Sequence, residues 1–343
     1  MPACPFSAAF RRRARLPAGA WTRPAVFGNR PGMSASARSG VSGVCAAIVT
    51  YHPQIELLEQ VIAAVLPQVG RVAIFDNAST GAALEAYFDE LRGRGVEVLR
   101  SPRNVGLGSA INQAARAARE AGFAQILLMD QDSIVDAGMV ATLHHQLSQL
   151  QTHGPVAAVG PQFRDQRTGE VAPFVRIAFP MNRKLFGGPG QVIDCDFLIT
   201  SGTLLPLDVL DVVGGMDEGL FIDNVDIEWS SRARHRGYKL FGVCDARMQH
   251  RIGDLVRVSS LLPYRTVVHS PTRLYYMMRN RVLLYRRAEV PGRWAAQDLP
   301  RLVLKFVGTA LFLKPRLAYL GAMLRGLRDG VRGRQGPMPT EAD

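Results

Sequence analysis

From residue 44 to residue 151, short apolar runs alternate along the chain with longer stretches of helical spacing. The apolar runs, each predicted to form a strand, cover residues 44–50, 71–76, 96–101 and 125–129. The stretches with apolar positions three or four residues apart, each predicted to form a helix, cover residues 53–65, 82–94, 109–122 and 136–151. Strands separated by such helices predict βαβ units and a parallel sheet, with ligands bound at the carboxyl ends of the strands.

Beyond residue 154 the alternation loosens. The pattern there predicts a strand over residues 192–200, a short helix over 206–213, a helix from an acidic cluster to about residue 236, and a helix over 272–287. Two apolar and basic helices, over residues 299–314 and 316–328, follow. They are separated by Pro315, which does not fit a helix interior.

Positive charge is concentrated at the two ends of the chain. The sequence has 41 Lys and Arg against 29 Asp and Glu, a net charge of +12. Residues 1–55 hold seven Arg and no acid, and residues 300–334 hold eight basic residues and one Asp, whereas residues 56–299 are balanced. A nucleic-acid binder would carry a basic stripe on its folded body, so we expect no nucleic-acid partner.

The first 42 residues are rich in Arg, Ala, Gly, Pro and Ser and show no periodicity, which predicts a disordered basic tail. This composition overlaps with that of organellar transit peptides but lacks the apolar core of a secretory signal. An alternative is that the natural start is Met33. The four cysteines lie far apart without a C-x-x-C pair, which favours a reducing compartment over a disulfide or zinc framework.

Three polar clusters follow predicted strands. They are Thr50-Tyr51-His52-Pro53, Asp76-Asn77-Ala78-Ser79 and Asp130-Gln131-Asp132-Ser133. Two carboxylates directly after an apolar strand repel each other unless a cation or ligand offsets their charge. Asp130 and Asp132 therefore suit Mg²⁺ or Mn²⁺ shared with a substrate diphosphate. The alternative is that Asp132 or Ser133 caps the next helix.

A second acidic cluster contains Asp223 and Asp226, three residues apart and on one face if a helix begins there. Large apolar residues surround these acids, as in a pocket wall, and a carboxylate there could serve as general base for an alcohol. The alternative is that they only complement the helix dipole. His250 and His269 are isolated, and each is either structural or a metal ligand.

The segment from Asn104 to Gly108 joins a strand to a helix, as a dinucleotide fingerprint does. It lacks the third glycine and follows the third strand, so NAD binding is not expected. Taken in order, the motifs of the chain resemble glycosyltransferase family 2, which has the GT-A fold, and its rhamnosyltransferase branch. These motifs are Thr50-Tyr51-x-Pro53, Asp76-Asn77-x-Ser79, Asn104-x-Gly106, Asp130-Gln131-Asp132-Ser133, Ser201-Gly202, Gly214-Gly215-Met216-Asp217-Glu218, Phe221-x-Asp223-x-Val225-Asp226-x-Glu228, His269-Ser270-Pro271 and Tyr275-Tyr276-x-x-Arg279-Asn280.

The resemblance covers roughly residues 44–290 and implies an α/β fold with a Rossmann-like, mostly parallel sheet. It implies a glycosyltransferase domain over residues 43–290. The residues beyond it predict amphipathic helices over 291–334 and a flexible tail over 335–343. The resemblance also implies donor-binding residues at the strand ends. These are Thr50, Tyr51, Pro53, Asp76, Asn77, Ser79, Asn104, Gly106 and Asp130.

The resemblance further implies that Asp130 and Asp132 hold Mg²⁺ or Mn²⁺ on the diphosphate, with His250 completing the metal site. Many relatives have an acid as general base where this chain has Asn224. The catalytic role then passes to Asp223 or Asp226, and Asp223 is slightly favoured as the nearest carboxylate. Arg279 is expected either to meet the departing diphosphate or to be a solvated or membrane-facing charge.

The function that the resemblance implies is an inverting transfer of L-rhamnose from dTDP-L-rhamnose to a hydroxyl of a cell-surface polysaccharide or a lipid-linked sugar. Alternatives are a galactofuranose or N-acetylhexosamine donor, or a non-catalytic protein that binds sugar nucleotides. The C-terminal helices are too short to cross a bilayer, and their Arg325, Arg328 and Arg332 share one face. We therefore expect a cytoplasmic protein, peripheral on the inner face of the cytoplasmic membrane. The alternative is that these helices pack on the catalytic body.

Overall fold

The structure is a computed structural model, and it describes residues 40–166, 168–250, 255–257, 265–267, 269–313 and 315–339. The predictions for the basic tail and for a start at Met33 therefore lie largely outside the described residues. The first strand begins at Val41, just inside the segment that the sequence predicts to be disordered.

Strands and helices alternate through the described residues. The strands are β1 (Val41–Thr50), β2 (Val69–Asp76), β3 (Glu97–Arg100), β4 (Gln125–Asp130), β5 (Ile134–Val135), β6 (Val156–Asp165), β7 (Phe174–Arg176), β8 (Arg183–Leu185), β9 (Val192–Cys195), β10 (Leu204–Pro206), β11 (Lys239–His250), β12 (Leu255–Arg257) and β13 (Arg265–Val267). The α-helices are α1 (Ile55–Val65), α2 (Ala82–Gly93), α3 (Leu107–Glu120), α4 (Met139–Gln151), α5 (Val209–Val213), α6 (Val225–His235), α7 (Pro271–Tyr285), α8 (Gly292–Phe312) and α9 (Arg316–Val331).

The central sheet has the order β3-β2-β1-β4-β10-β6-β11-β5, and β9 also pairs with β11. Strands β1 to β4 pair in parallel, as their alternation with helices predicts. From β3 to β1 the strand order runs backwards along the chain, and next to β1 it continues forwards with β4. In an open α/β sheet such a switch point forms a crevice at the carboxyl ends of the strands.

Both faces of the sheet are covered, which explains the nearly continuous apolar character of β1. Its side chains alternate, so that Val44, Ala46 and Ile48 pack on the side of α1, α2 and α4. Cys45 and Ala47 pack on the opposite side, with α3 and α6. The core therefore lies in two layers, and it leaves only the strand ends and connecting loops for a site.

The second half of the sheet is mixed rather than parallel. Strand β10 is antiparallel to β4 and β6, and β5 and β9 are antiparallel to β11, although β6 and β11 pair in parallel. Strand β6 escapes prediction because Gly160 and Pro161 interrupt its apolar run, and both residues are depleted in strand interiors. The predicted strand over residues 192–200 ends early, at Cys195.

The C-terminal helices pack on α7. A Cβ atom at Gly326 would lie 2.3 Å from the Tyr275 carbonyl oxygen, and one at Gly330 would lie 2.8 Å from that of Arg279. These two glycines, one turn apart on α9, therefore let the helix backbones approach closely. Within the described part of the chain, no helix is both long and apolar enough to cross a bilayer.

Candidate active site

The polar clusters of the sequence meet at the carboxyl ends of β1, β2 and β4. The register pairs Thr50 with Asp76 and Val49 with Asp130, so three strands end at the same level. Gln131 joins the first and third ends, because its side-chain oxygen accepts from the Tyr51 backbone N–H at 2.8 Å. The sheet topology thus assembles one crevice from segments about eighty residues apart in sequence.

Asp76 is fully buried and holds this crevice together. Its carboxylate accepts from the Thr50 hydroxyl at 3.0 Å, from the Ser79 backbone N–H at 3.1 Å and from Arg100 Nε at 3.3 Å. The expectation from sequence is that Asp76 binds the nucleotide. In the structure its oxygens bind the protein, and it thereby fixes the loop that follows β2.

Asn77 and Asn104 connect the loop after β2 to the loop after β3. Asn77 Nδ2 donates to Asn104 Oδ1 at 2.9 Å, and the Val105 N–H donates to Asn77 Oδ1 at 2.7 Å. Gly106 has φ +82°, and a Cβ atom there would lie 2.7 Å from Phe221. Glycine at this position therefore allows the loop after β3 to lie directly against Phe221, which belongs to the second acidic cluster of the sequence.

Tyr51 has the larger of the two exposed rings, Tyr51 and His52, in these strand-end clusters. It is 51% exposed, and its ring lies edge-on to His52 at 4.5 Å. Pro53 is half-buried just before α1. An exposed ring beside the crevice can stack against a planar ligand. Thr50 and Ser79, by contrast, are buried and present no side-chain surface to a ligand.

Asp130, Asp132 and His250 form a cluster in which one ligand atom from each residue lies within 4.8 Å of the others. Strand β11 carries His250 to this place because Gln249 pairs with Ile134 of β5. His250 Nδ1 is 2.7 Å from the Ser133 hydroxyl, which leaves Nε2 for a ligand. The structure thus brings together the acidic pair (Asp130 and Asp132) and the histidine named from the sequence.

The electrostatics of this cluster are those of a cation site. Burial, with the added charge of Asp132, raises the pKa of Asp130 to about 7. Burial also lowers the pKa of His250, which keeps its imidazole neutral and able to donate a lone pair. The alternative that Asp132 or Ser133 caps the next helix is wrong, because the N-cap of α4 is Gly138.

The acid loop (residues 217–224) contains a short 3₁₀ turn, Glu218–Leu220, and leads directly into α6. Phe221, Asp223 and Asn224 all have positive φ, of 66°, 63° and 63°. The Ile222 N–H donates to the Leu220 carbonyl at 2.8 Å, which closes a γ-turn of the rare, strained form. Such residues cost roughly 1–3 kcal/mol each and persist only where their surroundings hold them. Asn tolerates this conformation better than most residues, which fits Asn224.

The two candidate bases have different surroundings. Asp223 forms a bidentate ion pair with Arg273, with N–O distances of 3.0 and 3.2 Å. Asp226 is half-buried in the first turn of α6, and its carboxylate accepts from backbone N–H groups of that turn, that of Ile227 at 2.9 Å. Burial, reinforced by the charges of Asp223 and Asp130, raises the pKa of Asp226 to about 6.

Arg279 does not face the crevice. Its side chain is fully buried, and it donates to the carbonyl oxygens of Leu220 at 2.8 Å and Gly219 at 3.1 Å. The expected contact with a diphosphate, or with a membrane, therefore does not match its position. All three guanidinium nitrogens are engaged within the protein, since Nε also donates to Asn280 Oδ1 at 3.0 Å and Nη1 to the Gly336 carbonyl at 2.5 Å.

Arg273 is a site residue that sequence reasoning missed. It binds Asp223 from the first turn of α7, and its side chain is 47% exposed. Burial would lower its pKa, but the charge of Asp223, with that of the acidic pair, raises it on balance. Nothing in its sequence context marks it, because a basic residue early in a helix is an unremarkable feature. Only the fold places it between the acid loop and the acidic pair.

The chain is similar in sequence and in fold to known glycosyltransferases. Residues 45–201 match the family model described as glycosyl transferase family 2. A dTDP-rhamnosyl transferase of Shigella flexneri, RfbF, is 29% identical over 297 residues, which are 85% of this chain and 96% of that protein. The structure of GalNAc-T7 with UDP, GalNAc and Mn²⁺ is 16% identical with a TM-score of 0.55, over 84% of this chain and 56% of that one. That likeness concerns the fold.

Proposed function

We propose that the chain, whose residues 45–201 match the model of glycosyl transferase family 2 and whose fold resembles that of GT-A enzymes, transfers L-rhamnose from dTDP-L-rhamnose to a hydroxyl of a saccharide acceptor, with inversion. The observation that carries this proposal is the cluster of Asp130, Asp132 and His250 at the strand ends. The donor is taken from the printed activity of the Shigella flexneri relative. The acceptor is a growing surface polysaccharide or a lipid-linked sugar.

The donor set of the cluster fits a divalent cation. Two carboxylate oxygens and a neutral imidazole are suitable ligands for Mn²⁺, and the oxygens also suit Mg²⁺. When bound, such a cation neutralises the negative charge that develops on a departing diphosphate. Asp130, Asp132 and His250 would hold it, and Ser133 would orient the imidazole through its hydrogen bond of 2.7 Å.

The donor nucleotide is proposed to lie in the crevice between β1 and β4. Tyr51 offers a stacking surface for the base, and the loops fixed by Asp76, Asn77 and Asn104 offer backbone groups. Arg273 is proposed to take the role first expected of Arg279, because its half-exposed guanidinium pairs with Asp223 and interacts electrostatically with the acidic pair. A guanidinium in this position can donate two hydrogen bonds to a phosphate.

Asp226 is proposed to be the general base and Asp223 the residue that orients Arg273. A base needs a free lone pair and a pKa near the working pH, and Asp226, with its pKa of about 6, has both. The oxygens of Asp223 are engaged by Arg273. Asp226 removes the proton of the acceptor hydroxyl, the oxygen attacks the anomeric carbon in line, and the bond from that carbon to the diphosphate breaks.

A donor screen on the full chain tests the proposal. Release of nucleoside diphosphate is measured from dTDP-L-rhamnose, UDP-galactofuranose and UDP-N-acetylglucosamine, with Mn²⁺ or Mg²⁺ and with or without a rhamnan acceptor. We expect release from dTDP-L-rhamnose, stimulated by acceptor. Preference for another donor would overturn the donor assignment. Tight nucleotide binding without release from any donor would instead indicate a non-catalytic protein.

The outer face of α8 is proposed to rest on an anionic membrane surface. Five apolar side chains on this face are about half exposed or more, in a stripe along the helix. They are Leu299, Val303, Leu304, Val307 and Leu311. Both carboxylates of α8 and α9, Asp298 and Asp329, are buried, so the exposed charges of these helices are all basic. An apolar stripe with a basic surround is typical of helices that lie in a membrane interface.

A further inference from the structure

The acid loop is held both by its own turns and by groups outside it. Three of its residues have positive φ, and its short internal bonds run from the Ile222 N–H to the Leu220 carbonyl at 2.8 Å and from the Gly219 N–H to Asp217 Oδ1 at 2.7 Å. Its strained backbone carries the segment that leads from Asp223 to Asp226, so the positions of both acids depend on the groups that bind the loop.

Two neighbouring side chains of α7, the loop clamp (Arg279 and Asn280), bind this backbone. Both are fully buried. Asn280 Nδ2 lies 2.9 Å from the Leu220 carbonyl oxygen, 2.7 Å from that of Ile222 and 2.9 Å from that of Asp223. Because the clamp donates to backbone oxygens, it fixes the path of the loop and does not depend on the side chains there.

The C-terminal segment (residues 335–339) completes this arrangement, although its composition predicts a flexible tail. The Gly336 N–H donates to the Gly219 carbonyl at 2.7 Å, and Arg279 Nη1 donates to the Gly336 carbonyl at 2.5 Å. A Cβ atom at Gly219 would lie 2.5 Å from Gln335 Oε1. The segment therefore touches the acid loop directly and shares Arg279 with it.

A second contact lies further along the segment. The Met338 N–H donates to the Tyr276 hydroxyl at 2.7 Å, and the Tyr276 ring stacks on Phe221 with the centroids 4.9 Å apart. Met338 also packs with Ile222 in the same small cluster. The side of the loop away from the crevice is thus covered by residues more than a hundred positions later in the chain.

We infer that the C-terminal segment is a positioning element for the catalytic acids, acting through Arg279 and Tyr276 on the backbone of the acid loop. This inference rests on the proposed function for its kinetic consequence. Without the segment, Arg279 Nη1 loses its carbonyl acceptor and the outer side of the loop loses its cover. Asp223 and Asp226 then sample positions outside the productive geometry, while the donor crevice keeps its own hydrogen bonds.

Truncation after Arg334 tests this, with truncation after Thr340 as the matched control, since the control keeps residues 335–339. We expect the shorter chain to lose turnover at least about tenfold, because small displacements of catalytic groups cost this much or more. The KM for donor should rise by less than turnover falls, because the acid loop reaches the donor only through Asp223 and Arg273, whereas the donor crevice keeps its own hydrogen bonds. Tyr276→Phe, which keeps the ring stack but removes the acceptor of the Met338 N–H, should give a smaller loss of turnover.

Amide hydrogen exchange supplies a readout that does not depend on activity. We expect faster exchange in peptides covering residues 218–224 of the shorter chain and unchanged exchange in peptides covering residues 76–79. Unchanged exchange in the acid loop would overturn the inference, whatever the kinetics. Faster exchange with unchanged turnover would overturn it as well. If the full chain turns over no donor, the proposed function fails, and the exchange experiment still decides whether the segment holds the loop.

Discussion

The donor side and the acid side of the site are held in different ways. On the donor side, Thr50 binds Asp76 and Asn77 binds Asn104, so the partners are 26 and 27 residues apart and lie in neighbouring βαβ units. On the acid side, the loop is bound by side chains 57 to 60 residues later and by the C-terminal segment. The loops after β1, β2 and β3 are thus joined by consecutive elements, whereas the acid loop is held only when distant regions have come together. We therefore expect changes on the two sides to have different signatures.

The largest effect is expected on the donor side, from Asp132→Ala. Transfer should fall by at least about 10³-fold, because several kcal/mol of charge stabilisation at the diphosphate are lost. The fold should remain, since removing one of two repelling carboxylates relieves an unfavourable interaction. Initial rates at saturating Mn²⁺ and a thermal melt measure the two quantities.

Asp136→Ala is the matched control for Asp132→Ala, because Asp136 is exposed a short distance along the same segment. Its rate should stay within twofold of the parent. Near-normal turnover by the Asp132→Ala protein would contradict the assignment of the metal site.

The next largest effect distinguishes the two acids. Asp226→Asn should lower kcat by about 10²–10³-fold with little change in the KM for donor, as expected for loss of a general base. Asp223→Asn should instead raise the KM for donor, because Arg273 loses its partner at 3.0 Å and with it a fixed orientation. Steady-state kinetics of both proteins test this, and the reverse pattern would make Asp223 the base.

A change inside the donor framework should act mainly on stability. Thr50→Val keeps the shape of the side chain but removes the hydroxyl that donates to the buried Asp76 carboxylate at 3.0 Å. We expect the free energy of unfolding to fall by about 1.5–3 kcal/mol, the usual worth of a hydrogen bond to a charged group. Denaturant unfolding measures it, and Thr142→Val on the exposed side of α4, which loses only a bond within its own helix, is the control.

The contrast between the two sides also explains what could be predicted from sequence. Apart from the two-residue strand β5, the elements from β1 to α4 follow from their periodicity, because each is a regular strand or helix in a sheet with both faces covered. Once the strands are parallel, the clusters at Thr50, Asp76 and Asp130 must end at one edge. The grouping of Asp130 and Asp132 with His250 needed the resemblance to a family as well, because periodicity says nothing about where β11 ends.

The acid side could be predicted only in part. Asp223 and Asp226 stand out in the sequence, but their difference in pairing depends on Arg273, which no local pattern marks. Arg279 is recognisable in its motif, yet a motif does not say whether a guanidinium faces a phosphate or a backbone carbonyl. The segment from residue 335 has the composition of a flexible tail, and its order comes from Gly219, Arg279 and Tyr276. Long-range partners of this kind leave no periodic signal.

Lys305 on α8 is a half-buried cation that interacts electrostatically with Asp223 of the acid loop, so it should affect stability. Burial, reinforced by Arg281, lowers the pKa of Lys305 from 10.5 to about 8. The folded state therefore binds this proton more weakly than the unfolded chain, so stability should rise as the pH goes from about 8 towards 10.5. Lys305→Met should add about 1–3 kcal/mol at pH 7, and this gain should vanish near pH 10.5.

Thermal melts at several pH values measure this effect. Arg301→Met, which removes an exposed cation from the same helix, should change the melting temperature little at any pH. A gain for Lys305→Met that does not depend on pH would show that packing, rather than the lost charge, is responsible.

The smallest effect is expected on the outer face of α8, opposite the side that carries Lys305 towards the site. Leu304, 71% exposed, would enter the interface of an anionic membrane, so Leu304→Glu should weaken binding to phosphatidylglycerol vesicles by about tenfold. Val212→Glu, at a 56% exposed apolar position on α5, is the control and should bind like the parent. Flotation at low and high salt measures both, and added salt should weaken the parent because its exposed charges there are basic. Equal flotation of the two variants would contradict membrane binding through α8 and would favour a protein partner for its apolar stripe. The assignment of the donor side and the acid side of the site would not change.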